Sequence, residues 1–297
     1  MSRILFLVLA LACLPASAQF GNLLKSLDPG KIIDTGKKLT EANKDFTKEE
    51  EVALGEGIAA GFLGAAPLHK DANLQRYVNR VGKWLALHSE RADLPWTFGV
   101  VEGDTINAFA MPGGIVVVSH GLLRRLNNES ELAGALSHEI AHVVKKHQLA
   151  AIQSSMSSGA FADIGKDLAS SEIARHTGGG LGGAVAGELK SRAAGIGIEA
   201  IKNGVFLRPL DRGMEYEADR MAVVIAARSG YDPYGLVGVL QLLAQAKGDG
   251  SGTSIFDTHP AAEDRLAELE KAMPPLDRFA RQPQNEGRFR QVVGSAK

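Results

Sequence analysis

The hydrophobic positions change period along this chain. Behind Asp71, an N-cap residue type, Leu74, Tyr77, Val78, Val81 and Leu85 recur at helical spacing and predict an amphipathic helix. Upstream, Thr47-Lys48-Glu49-Glu50 has the form of a capping box and opens an earlier helix towards Phe62. The pattern then shortens to β-rich runs at 97–101 (after Pro95), 107–110 and 115–118, read as three strands. The turn signal Met111-Pro112-Gly113-Gly114 joins the last two. Helical spacing returns at Leu132, Leu136, Ile140, Val143 and Val144, capped by Asn128-Glu129-Ser130-Glu131. Lys145, Lys146 and His147 then sit well against the C-terminal dipole. Three more helices are expected: about 211–228, ended by Gly230; about 233–247, ended by Gly248; and about 260–272, started by Pro260.

The flanks read differently. Arg3 precedes the apolar run 4–11, and Ala16-Ser17-Ala18 supplies a small-x-small cleavage site, so residues 1–18 read as a secretory signal cut after Ala18. That run is too short to span a bilayer, and no later segment offers about 20 uninterrupted apolar residues. The competing reading is a lipoprotein anchored through Cys13, although Ala10 and Leu11 fit a lipobox poorly. Residues 19–45 form a mixed arm, 46–276 the main domain and 277–297 a polar tail. Within the domain, 151–206 is rich in Gly, Ala and Ser. Such a segment buries little against its ordering entropy and reads either as a flexible insertion or as a lid beside the site.

Composition narrows this picture. A net charge of −1 argues against a nucleic-acid partner. Cys13 is the only cysteine, so an exported mature chain would hold no disulfide and must rely on an ordinary hydrophobic core.

The chemistry concentrates in Ser137-His138-Glu139-Ile140-Ala141-His142. Histidines four apart share a helix face, so His138 and His142 can reach one metal ion, and Glu139 can take a proton from a metal-polarised water. A catalytic zinc needs a third protein ligand. His147 follows His138 by nine residues, with Lys145 where a metzincin needs glycine, so it reads as a solvated or capping histidine. Glu215 is the better candidate. It shares a helix face with Asp219, so one carboxylate can bind metal while the other accepts a hydrogen bond from a ligand histidine. Glu217 lies about 160° from the line of Glu215 and reads as solvated. His69, His88, His120 and His176 show no partner pattern.

Three blocks, Asn107-Ala108-Phe109-Ala110-Met111-Pro112-Gly113-Gly114, His138-Glu139-x-x-His142 and Glu215-x-x-Ala218-Asp219, occur in order over roughly 45–272. Together they resemble the gluzincin family that includes the HtpX, BepA-like and type I CAAX prenyl proteases. The resemblance implies a mainly helical α+β fold with a small antiparallel or mixed sheet and a His-Glu-x-x-His helix. It implies one zinc per chain on His138, His142 and Glu215, with Glu139 as general base. It also implies that Asn107, Ala108, Phe109 and Ala110 form an edge strand to which extended substrate adds.

A fourth block, Thr258-His259-Pro260 followed by Arg265, is also similar to the family. For His259 three readings stand: a switch ligand closing the site, a transition-state donor, or a helix-start histidine without a catalytic role. The chain departs from HtpX and the prenyl proteases in lacking membrane spans, and from BepA-like members in ending without a repeat domain. The expectation is an exported, periplasmic zinc endopeptidase acting on unfolded or misassembled envelope proteins, with peripheral membrane association open. The alternative is a latent zinc-binding chaperone or assembly factor.

Overall fold

The computed structural model describes residues 46–157, 210–246, 259, 262–271, 273–280 and 282–296. The signal segment, the arm 19–45, most of the 151–206 stretch with its lid reading, His176 and Gly248 lie outside them. The elements are α1 (Lys48–Ala65), α2 (Ala72–Ala86), β1 (Thr97–Val101), β2 (Ala108–Met111), β3 (Ile115–Ser119) and α3 (His120–Leu123). There follow α4 (Glu129–Val144), α5 (His147–Ser157), α6 (Arg212–Arg228), α7 (Gly235–Ala246), α8 (Ala262–Glu270), a 3₁₀ turn (Pro274–Phe279) and α9 (Glu286–Val293). This is the mainly helical α+β arrangement expected, and no helix among the described residues is long and apolar enough to cross a membrane.

The sheet is mixed, in the order β1-β3-β2, with β1 parallel and β2 antiparallel to β3. Gly113 and Gly114, at φ 77° and 95°, make the β2–β3 turn in the left-handed region that glycine reaches without strain. The two edges are treated differently. Two buried amides of α2 close the β1 edge: Gln75 Nε2 donates to Val100 O (2.7 Å), its Oε1 accepts from Val100 N (2.8 Å), and Asn79 Oδ1 accepts from Phe98 N (3.1 Å). An isolated bridge between Leu68 and Val101 extends that cover. The β2 edge faces the other way and carries no strand among the described residues. The β1 edge is thus sealed by side chains.

α4 is buried on every face, from Glu129 to Val143, where the apolar spacing predicts one buried stripe. α2, α6, α7 and β2 surround it. Small residues make this enclosure feasible. A methyl at Gly235 would lie 2.0 Å from Ser130 O, and one at Gly134 would lie 2.5 Å from Leu236 N, so α4 and α7 touch backbone to backbone.

Both ends of α4 are tied by buried charge. Arg91 forks onto Glu51 (2.8 Å to each oxygen) and donates to Val143 O (3.1 Å) at the last turn, while Glu51 Oε1 accepts from Gly113 N (3.2 Å). At the first turn, fully buried Glu129 accepts from Tyr77 Oη (2.7 Å), Tyr231 Oη (2.9 Å) and Arg288. Burial and the Glu129 carboxylate together push both tyrosine hydroxyls well above their ordinary pKa.

Arg288 belongs to α9, within the stretch read as a polar tail. That tail folds back: Phe289, Val293 and Ala296 are buried in the main core. Their spacing of four and three is a helical stripe hidden among polar neighbours. Glu129→Leu is expected to cost about 3 kcal/mol, because two buried tyrosine hydroxyls lose their acceptor. Arg288→Ala, removing the half-exposed partner, should cost about 1 kcal/mol or less. Urea unfolding of both variants checks the contrast.

Candidate active site

Two helices and one residue beyond them converge on a single point. α4 supplies His138 and His142, whose Nε2 atoms face each other at 2.9 Å. α6 supplies Glu215, with Oε2 3.5 Å from His138 Nε2 and Oε1 3.4 Å from His142 Nε2. His259 reaches in from before α8 and places Nδ1 2.7 Å from Glu215 Oε2. One donor atom from each of the four lies within 4.8 Å of the others. Glu139 lies beside them, 3% exposed.

The donor set fits a zinc ion. Two imidazole nitrogens point at one another across a buried gap, and buried Glu215 Oε1 has no hydrogen-bond partner. An orphaned carboxylate oxygen at the meeting point of two ring nitrogens is costly without a cation. Two imidazoles and one carboxylate are also a known catalytic zinc set.

A surrounding layer holds these ligands. Asp219, one turn after Glu215, lies 2.9 Å from His138 Nδ1. Accepting that proton leaves the His138 Nε2 lone pair directed at the convergence point. Arg265 of α8 grips Asp219 through Nε (2.8 Å) and a second guanidinium nitrogen (2.6 Å), and lies 3.4 Å from Glu215 Oε2. On the other side, His147 Nδ1 lies 3.0 Å from His142 Nδ1. Its Nε2 meets Glu217 Oε2 at 3.3 Å, and Glu217 Oε1 takes Lys145 Nζ at 2.6 Å.

Titration follows this layout. Burial and Arg265 disfavour a proton on His138, but Asp219 and Glu215 outweigh them and raise it to about 9, so a metal ion would have to displace the Nε2 proton on binding. Burial and the neighbouring His138 hold His142 well below its ordinary value, so it is a neutral imidazole. Burial alone would raise Glu215, yet His259, His138 and His142 hold its carboxyl well below the usual range. Burial raises the Glu139 carboxyl, against the pull of His138 and His259.

The cleft beside Glu139 has an apolar wall of Leu122, Leu236, Val239, Leu240 and Leu243, and Ala108 of β2 closes its upper side. The β2 residues are small where they face α4: Ala108 and Ala110 are packed into the core that α4 shares, whereas Phe109 points to the opposite face and meets Phe62 edge-on at 5.1 Å. Asn107 lies just before β2, its Oδ1 accepting from Ala108 N (2.8 Å).

The structure therefore brings His138, Glu139, His142, Glu215, Asp219 and His259 together beside Ala108. One expectation changes. His147 is not solvated: Lys146 adopts φ 57°, ends α4 and turns His147 back onto His142, where it is 4% exposed. Glu217 is engaged behind it. Arg265 had a place in a motif but no role. Its signal was position, since it sits with Ala262 and Leu269 on the buried face of α8.

Comparison with known proteins places this geometry in context. The sequence model of peptidase family M48 matches residues 69–273. The beta-barrel assembly-enhancing protease of Escherichia coli (strain K12) is 32% identical over 230 residues, covering 77% of this chain and 45% of that protein. The Escherichia coli metalloprotease YcaL is 26% identical, covering 89% of this chain and 95% of its own. The mitochondrial metalloendopeptidase OMA1 of Schizosaccharomyces pombe is 28% identical over 67% of this chain and 52% of its own length. The chain spans about half the length of the beta-barrel assembly-enhancing proteases that it matches.

His147→Ala is expected to weaken zinc retention about 10- to 100-fold, because His142 loses its orienting partner. Competition against a chromophoric chelator measures this. His88→Ala, remote from the cluster, should leave retention unchanged.

Proposed function

The chain belongs to peptidase family M48, and from that premise we propose that it hydrolyses peptide bonds in unfolded or misassembled envelope proteins, with one zinc held by His138, His142 and Glu215. The observation that carries the reading is the convergence of these three side chains beside a buried Glu139, in a cleft that β2 lines through Ala108. Bound there, zinc would act as a Lewis acid towards a scissile carbonyl and lower the pKa of a nearby water.

Each step below belongs to the protein's own residues. Glu139, whose buried carboxylate has a raised proton affinity, takes a proton from the attacking water and returns it to the leaving amine. Asp219, locked by Arg265, keeps His138 in the tautomer that presents Nε2. His147 does the same service for His142. Substrate backbone adds along the edge of β2, and the apolar wall takes a side chain next to the cut. Pairing through backbone demands an extended chain, which folded proteins rarely offer. This favours unfolded substrates, as does the name of the relatives that enhance β-barrel assembly. An export signal in residues 1–18 would place the enzyme in the periplasm.

A second reading rests on His259. A fourth donor among the ligands would fill the position that catalytic zinc sites keep open. The protein would then rest in a latent state and act chiefly as an assembly factor. Glu139→Gln is expected to lower casein cleavage by about 10²- to 10⁴-fold while zinc content stays unchanged. Chelation should abolish cleavage, and added zinc should restore it. Equal background in wild type and variant would instead favour the latent reading, and His259→Ala should then release activity.

A further inference from the structure

A second histidine cluster lies away from the cleft and has no part in the reaction above. His69 precedes α2, Glu102 follows β1 and His120 opens α3, so three separate segments supply it. Their donor atoms lie within 4.8 Å of one another. The two rings are 4.3 Å apart between centroids and tilted by 56°.

The backbone around the cluster is firmly tied. His69 N donates to Val100 O (2.9 Å), Glu102 N to Pro67 O (2.8 Å) and Gly121 N to Gly103 O (2.8 Å). The amide of Gln75 also donates to His69 O (2.9 Å). The three side chains are therefore held near one another by the fold, at no further ordering cost to the chain.

The polar atoms are under-used. His120 Nε2 is sealed from solvent with no hydrogen-bond partner. His69 is 4% exposed, and its Nδ1 accepts only a long contact from Asp71 N (3.2 Å). Buried polar atoms are normally satisfied, so an orphaned imidazole nitrogen beside a second imidazole and a carboxylate needs an account. We infer that His69, Glu102 and His120 bind a divalent transition-metal cation of the zinc class, separate from the catalytic cluster.

Two imidazoles and a carboxylate suit zinc, with water completing the shell. Burial, His69 and Arg124 hold His120 below its ordinary pKa, so the ring is neutral and ready to ligate. The cation would pin α3 to the end of β1. Leu122 of α3 lines the catalytic cleft together with α7 residues, so the second ion would brace that wall. A chain whose only cysteine is Cys13 has no disulfide to do this work.

The test is a cobalt(II) titration of the chelator-stripped chain, followed by visible absorption. The diagnostic equivalent is one that survives His142→Ala and disappears in both His120→Asn and Glu102→Gln. Wild type should take up two equivalents, and each of these three variants one. Zinc should also raise the melting temperature of His142→Ala but not of His142→Ala/Glu102→Gln. If no equivalent behaves this way, the second site is wrong, whatever the catalytic cluster does. Glu102 is half-exposed, so Glu102→Gln keeps the test decisive even if His120→Asn fails to fold, as circular dichroism would show. A wild type that takes up only the equivalent lost in His120→Asn and Glu102→Gln, with none that depends on His142, would sink the catalytic reading and leave this one standing.

Discussion

The burial of α4 on all sides is the constraint on which the rest of the structure depends. A metallopeptidase of this kind needs two histidines and a general base in a place that water does not freely enter, and here that place is a helix enclosed by four elements. Enclosure of a helix carrying His138, Glu139 and His142 costs desolvation at every ionisable group. The structure answers with partners rather than exposure. Asp219 and Arg265 stand behind His138, His147 and Glu217 behind His142, and Glu51–Arg91 and Glu129 hold the ends. These partners bring an opposite charge or a donor within hydrogen-bond reach, whereas buried Glu215 Oε1 has no hydrogen-bond partner and lies where the ligand atoms meet.

The same constraint explains the glycines and the small residues. Gly134 and Gly235 let two backbones touch, where any side chain would push α7 away and open the apolar wall. Ala108 and Ala110 let β2 pack closely on α4, with Ala108 lining the cleft beside Glu139. The sheet edges follow this logic. Gln75 and Asn79 spend buried amides on closing β1, while Ala108 of β2 lines the cleft.

Much of this was legible in the sequence because it is local. Helical spacing, N-caps at Asp71 and Asn128, the turn at Gly113-Gly114 and the i, i+4 pairs His138/His142 and Glu215/Asp219 are all set within a few residues. What escaped depends on approach between distant segments. His147 joins His142 only because Lys146 takes a left-handed backbone conformation, and no residue-type signal announces that for lysine. Glu217 was read from the α6 helix alone, although its partners Lys145 and His147 come from beyond α4. His69 and His120 lack a sequence pattern because a parallel strand pairing and a bridge bring them together. The buried face of α9 was hidden by spacing its few apolar residues among charged ones.

The positions of Arg265 and His259 on either side of Pro260 carry the argument one step further. Arg265 is fixed by two hydrogen bonds to Asp219 and sits on the buried face of α8, so α8 cannot shift without loosening His138. His259 precedes that helix, bonds Glu215 and packs its ring against those of His138 and His142. Arg265 thus acts on His138 through Asp219, whereas His259 meets the ligand set directly.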